Sequence, residues 1–89
     1  MAKFLIEVPH DATEEACVQA VKIFLETGSH FLTNADWGCQ DGDHNAYMLV
    51  EVDTKEEARR ILPAAYKSGA KIIELHKYTR EEMKQYMYH

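Results

Sequence analysis

Three short stretches, Asp11-Ala-Thr-Glu14, Thr54-Lys-Glu-Glu57 and Thr79-Arg-Glu-Glu82, share one spacing, in which a short oxygen-bearing side chain precedes a glutamate by three residues. That spacing lets the first side chain accept a hydrogen bond from the fourth backbone N–H while the glutamate reaches back, so each stretch marks a helix start. Each also follows a run with strand character. Residues 3–8 alternate, with Phe4, Ile6 and Val8 on one side and Lys3, Leu5 and Glu7 on the other. Residues 47–52 are apolar on both faces, as expected of a central strand, and residues 71–78 alternate again. The chain is therefore punctuated as strand then helix, three times over.

The segments between these marks complete the pattern. The first helix is expected to begin near Ala12 or Thr13, to bury Ala16, Cys17, Ala20, Val21, Phe24 and Leu25, and to end at Gly28. A strand is expected over residues 30–37, with Phe31, Thr33, Ala35 and Trp37 sharing a face, followed by a hairpin loop over residues 38–43. The helix opened by Thr54 should bury Ala58, Ile61, Leu62, Ala65 and Tyr66, with a kink or early end at Pro63 and termination at Ser68-Gly69. A short last helix should run to about Met87, with Met83, Tyr86 and Met87 as its apolar side.

The order β-α-β-β-α-β with a terminal helix is the split βαβ, or ferredoxin-like, arrangement of the α+β class. It predicts one domain over residues 1–89, with a core at 1–78 and a C-terminal helix at 79–89. The antiparallel sheet should have strand order 4-1-3-2, with two helices on one face. The other face is then open and should carry Leu5, Glu7, Tyr47, Leu49, Glu51, Glu74 and His76. An apolar patch of that kind is expected to be covered by a second copy, giving a homodimer.

On these elements the chain resembles the dimeric α/β-barrel superfamily, in which two ferredoxin-like domains pack sheet to sheet. The opening Lys3-Phe4-Leu5-Ile6-Glu7-Val8-Pro9-His10 looks like the first strand of the small nickel-binding proteins of that superfamily, and His10 matches a histidine at that strand's end. Muconolactone isomerase-like and small monooxygenase members are similar in size and architecture. The resemblance implies a homodimer holding a metal ion or a small molecule.

Composition excludes several partners. With 89 residues, a formal charge of -5 and a pI near 5.4, the chain has no basic face for a nucleic-acid backbone or an anionic membrane. The apolar run at residues 4–6 is too short for a signal-peptide core or a membrane span, so a cytoplasmic location is expected. Cys17 and Cys39, one in a helical stripe and one in a turn, do not form a secreted disulfide framework and read as reduced thiols. No phosphate-binding glycine loop, Cys-x2-Cys pair or nucleophile elbow is present.

The tract from Asn34 to His44 holds the only tryptophan, a cysteine, a histidine and two glycines. In the expected fold the ends of strands one and two and the start of strand three meet at one edge. His10, Cys39 and His44 are thereby brought together, with Asp11, Asp36, Asp41 and Asp43 nearby. Two imidazoles and a thiolate suit nickel, zinc or copper, with carboxylates as a further ligand or as supports for the imidazoles. The alternative is an isomerase or oxygenase whose pocket between dimer sheets is lined by Glu7, Glu51, Glu74 and His76, a carboxylate there serving as general base. A third reading is a purely structural or regulatory dimer in which the acidic face only sets partner choice. Trp37 is expected to anchor packing, His30 to partner a helix C-terminus, and Cys17 to be an inert core thiol.

Overall fold

The computed structural model describes residues 1–27 and 29–87. Gly28, expected to end the first helix, the Met87 side chain and residues 88–89 lie outside the described part. Four strands, β1 (Ala2–Pro9), β2 (Asp36–Trp37), β3 (Asn45–Val52) and β4 (Lys71–Leu75), form one sheet in the order β2-β3-β1-β4. Counted from the β4 edge this is 4-1-3-2, and every neighbouring pair is antiparallel.

Register follows from burial. Phe4, Ile6 and Val8 lie opposite Val50, Met48 and Ala46, and all six are buried. A one-residue slip would turn this whole set to the other face, so the apolar alternation of β1 determines the pairing. The helices α1 (Glu14–Glu26) and α3 (Lys55–Arg60) cover this face, α1 supplying Phe24 and α3 Ala58 to the core cluster, which Leu62 joins just beyond α3. Phe4 and Phe24 are fully buried, each contributing about 1.5–3 kcal/mol by leaving water.

The helix starts are near the expected places, with one shift. Thr13, not Asp11, caps α1, its hydroxyl accepting from the Ala16 N–H at 3.0 Å. The Asp11 carbonyl instead accepts from the Thr13 N–H at 2.8 Å and turns the chain out of β1. Thr54 caps α3 through the Glu57 N–H at 3.1 Å, while Glu57 reaches back to the Asp53 N–H at 3.2 Å. The stripe of α1 is narrower than expected: Ala20 and Phe24 are buried, but Leu25 is 55% exposed.

Residues 30–33 form a turn of helix, α2 (His30–Thr33), where a strand was expected. Local bonds explain the difference: Thr33 Oγ1 and Asn34 Nδ2 both donate to the His30 carbonyl, at 3.2 and 2.7 Å, and offer the backbone an alternative to a sheet ladder. Leu32 rather than Phe31 or Thr33 is buried, and β2 shrinks to two residues.

Pro63 breaks the next helix as expected. It adopts an extended conformation (φ -59°, ψ 148°) between α3 and the single turn α4 (Ala64–Lys67). Beyond the break only part of the expected stripe reaches the core. Ala65 is exposed, and Tyr66 packs edge-on against Phe24 with ring centroids 5.6 Å apart.

On the open face, Lys3, Leu5 and Glu7 lie opposite Glu51, Leu49 and Tyr47 of β3 and Leu75, Ile73 and Lys71 of β4. Glu74 therefore does not belong to this face, because its partner across β1 is Phe4. His76 lies beyond the end of β4, which stops at Leu75. Both are exposed.

The last helix, α5 (Arg80–Met87), starts with Thr79 accepting from the Glu82 N–H. Its residues 80–86 are all exposed, including Met83 at 40% and Tyr86 at 72%, so these two side chains do not pack closely on the body of this chain. The radius of gyration, 15.9 Å, exceeds the roughly 12 Å of a compact domain of this length. Among the described residues, no helix is long and apolar enough to cross a membrane.

Candidate metal centre

Three elements deliver the three donor side chains to one corner. His10 follows the last residue of β1, Cys39 opens a 3-10 turn (Cys39–Asp41) just after β2, and His44 precedes β3. Two glycines make the β2–β3 connection possible. At Gly38, a Cβ atom would meet the Asp43 carbonyl oxygen at 2.7 Å, and Gly42 adopts a positive φ of 80°. The loop closes on itself through bonds from the Asp41 and Asp43 N–H groups to the Gly38 carbonyl, both 3.0 Å, and from the Gly38 N–H to the Asn45 carbonyl at 3.1 Å.

One ligand atom from each of His10, Cys39 and His44 lies within 4.8 Å of the others, and all three residues are half-buried. The His10 backbone N–H donates to the His44 carbonyl at 3.1 Å, and His10 Nδ1 lies 2.8 Å from the same oxygen. A carbonyl only accepts, so the ring proton sits on Nδ1 and Nε2 is left with a free lone pair, 3.0 Å from Cys39 Sγ. This is how metal-binding histidines are oriented by a neighbouring acceptor. Here the support is a backbone carbonyl, where carboxylates were expected. Burial holds the His10 pKa below its ordinary value, His44 adds to that lowering, and Asp11 opposes it. The neutral imidazole favoured by burial is the form that ligates.

His44 contributes a second signal. Its Nδ1 is buried and has no hydrogen-bond partner among the described residues. Leaving such a nitrogen unsatisfied costs on the order of 1–3 kcal/mol, an expense that a ligated ion would remove.

One neighbouring carboxylate, that of Asp43, has other work. Asp43 accepts from the Tyr47 hydroxyl and from Asn45 Nδ2, and these bonds, Tyr47's first, hold its pKa below the usual carboxylate value. The same contact raises the pKa of Tyr47. Trp37 packs edge-on between Phe24 at 5.0 Å and His10 at 6.0 Å, tying the corner to the core as a packing anchor. His30 begins α2 on the surface and takes no part.

Cys39 is not a free thiol. It forms a disulfide with Cys17, whose Cα lies 6.8 Å away, and this corrects the reading of both cysteines as reduced and of Cys17 as inert. The pairing was legible in principle. Cys17 is in the first turn after the β1 exit and Cys39 just after the β2 exit, so the topology brings the chain's only two cysteines to one end of the sheet.

The second residue set behaves differently. Glu51, Glu74 and His76 line a groove of about 760 Å³ at the opposite end, together with Met1, Lys3 and Leu49. Glu7 is outside that groove, beside Tyr47 and Lys71. Glu74 Oε2 and His76 Nε2 are 2.9 Å apart, with side chains 42% and 62% exposed.

Comparisons with protein-family models, with curated proteins and with solved structures find no match to this chain.

Proposed function

We propose that this chain is a ferredoxin-like domain that binds a transition-metal ion through His10, Cys39 and His44, and that it acts as a homodimer paired through the open sheet face. The observation that carries the metal reading is the convergence of the three donors within 4.8 Å, with His10 Nε2 freed by the Nδ1 bond. Two imidazoles and one thiolate suit zinc, nickel or copper. Ligands sharing one tetrahedral ion stand roughly 3.4–3.6 Å apart, given metal–ligand lengths of about 2.0–2.3 Å, so the corner needs only small side-chain adjustments. Three protein donors leave a position at which a small molecule can bind the ion.

The dimer reading rests on Leu5, Leu49 and Ile73, which share the open face, with Leu49 65% exposed. Lys3 beside Glu51 and Lys71 beside Glu7 balance charge on that face, so a second copy can cover it without stranding a net charge.

Elemental analysis by mass spectrometry tests the metal reading, on untagged protein purified under reducing conditions without chelator or metal column. Near-stoichiometric metal, lost in His10→Ala and in His44→Ala, is the expected result. Reduced protein that is metal-free and takes up no zinc, nickel or copper on titration would overturn it.

A further inference from the structure

We propose that the Cys17–Cys39 disulfide is a redox gate on the metal site: oxidised, it withholds the sulfur ligand, and reduced by a dithiol it releases Cys39 to complete the ligand set. This rests on the reading of His10, Cys39 and His44 as a metal centre. Two facts about one atom carry the inference. Cys39 Sγ is bonded to Cys17 Sγ, and the same Sγ lies 3.0 Å from His10 Nε2 within the donor cluster. A sulfur already bonded to sulfur is not the thiolate that binds a metal ion. The two states of Cys39 are therefore mutually exclusive, and no movement of the fold is needed to pass between them.

The bond is reachable. Cys17 and Cys39 are half-buried and together line a cleft of about 320 Å³ with Thr13, Gln40 and His44, and a second of about 450 Å³ with Asp36 and Trp37. Cys17 also lines a third groove, along α1 with Val21 and Leu25. A thiolate of the dithiol attacks Cys17 Sγ, the Cys17–Cys39 bond breaks, and Cys39 leaves as a thiolate into the corner held by His10 and His44. The reductant's second thiol then displaces Cys17, closing the reductant's own disulfide and passing its proton to the Cys17 sulfur. Two electrons move from dithiol to protein, and the products are a Cys17 thiol and a Cys39 thiolate. Oxidation runs the sequence backwards and expels the ion. The ion and the oxidant therefore compete for the Cys39 sulfur, so bound metal shifts the exchange toward the reduced state and excess oxidised dithiol shifts it back.

The test measures zinc affinity by competition with a chromophoric chelator in three samples of the full chain. These are oxidised wild type, wild type reduced with a phosphine that does not bind zinc, and Cys17→Ser, which cannot form the bond. The gate predicts at least a hundredfold tighter binding in the second and third samples than in the first. It also predicts release of one zinc per chain when the loaded, reduced wild type is treated with oxidised dithiol. Equal affinity in the oxidised and reduced wild type overturns the gate and leaves the metal site standing. Absence of binding in all three overturns the metal site itself. The wild-type pair decides the matter even where Cys17→Ser fails to fold.

Discussion

At the end of the sheet where β1 finishes, His10 and His44 are half-buried, and the ring of one is bonded to the backbone of the other. At the opposite end Glu74 and His76 meet at 2.9 Å, yet both side chains are largely in water. The two ends have comparable distances between reactive groups and different restraint. An exposed pair holds its geometry only by giving up side-chain freedom in competition with solvent, and is worth about 0–1 kcal/mol. In the corner, the strand ends, the glycine loop and Trp37 have already fixed the donors, so an arriving ion orders little that is not ordered. Proximity alone marks both ends, and prior restraint separates them.

That contrast can be broken in several ways. The largest expected effect is on metal uptake: His10→Ala or His44→Ala should weaken zinc binding by at least about 100-fold, while His76→Ala should leave it unchanged, as read by titration. If His76→Ala weakens binding as much, the assignment of restraint to one end fails. Next, Cys17→Ser should destabilise the oxidised protein by about 3 kcal/mol in chemical denaturation, because it opens a loop of sequence separation 22, and should not alter the reduced protein comparably. Gly38→Ala should cost about 1–3 kcal/mol by driving a methyl group into the Asp43 carbonyl, and should weaken zinc binding with it, because the loop carries both Cys39 and His44. The smallest effect belongs to the far end, where Glu74→Gln should change stability by less than about 1 kcal/mol.

Much of the fold could be read from local rules. The Thr54 and Thr79 caps, the break at Pro63 and the alternation of β1 each follow from chemistry within a few residues, and together they bring His10, Cys39 and His44 to one end of the sheet. The misreadings came where a local pattern was ambiguous or a distant one decided. Residues 30–33 alternate like a strand, but Ser29, Thr33 and Asn34 supply the bonds that wind them into a turn. The alternation over residues 71–78 does not by itself say which face Glu74 takes; that is determined by pairing with Phe4, seventy residues away in sequence. The disulfide has no local signature, because two cysteines in unrelated patterns carry no spacing signal and only the completed topology makes them neighbours.

The single carbonyl oxygen of His44 receives two donors from one residue, the backbone N–H and the ring Nδ1 of His10. The amide proton of His10 cannot exchange with solvent unless that oxygen lets go, and the same opening unfastens the ring. Deuterium uptake at this one amide is thus an intrinsic clock for the integrity of the corner. An ion that clamps both imidazoles slows that clock, so site occupancy is written into the exchange rate of a proton that never touches the metal.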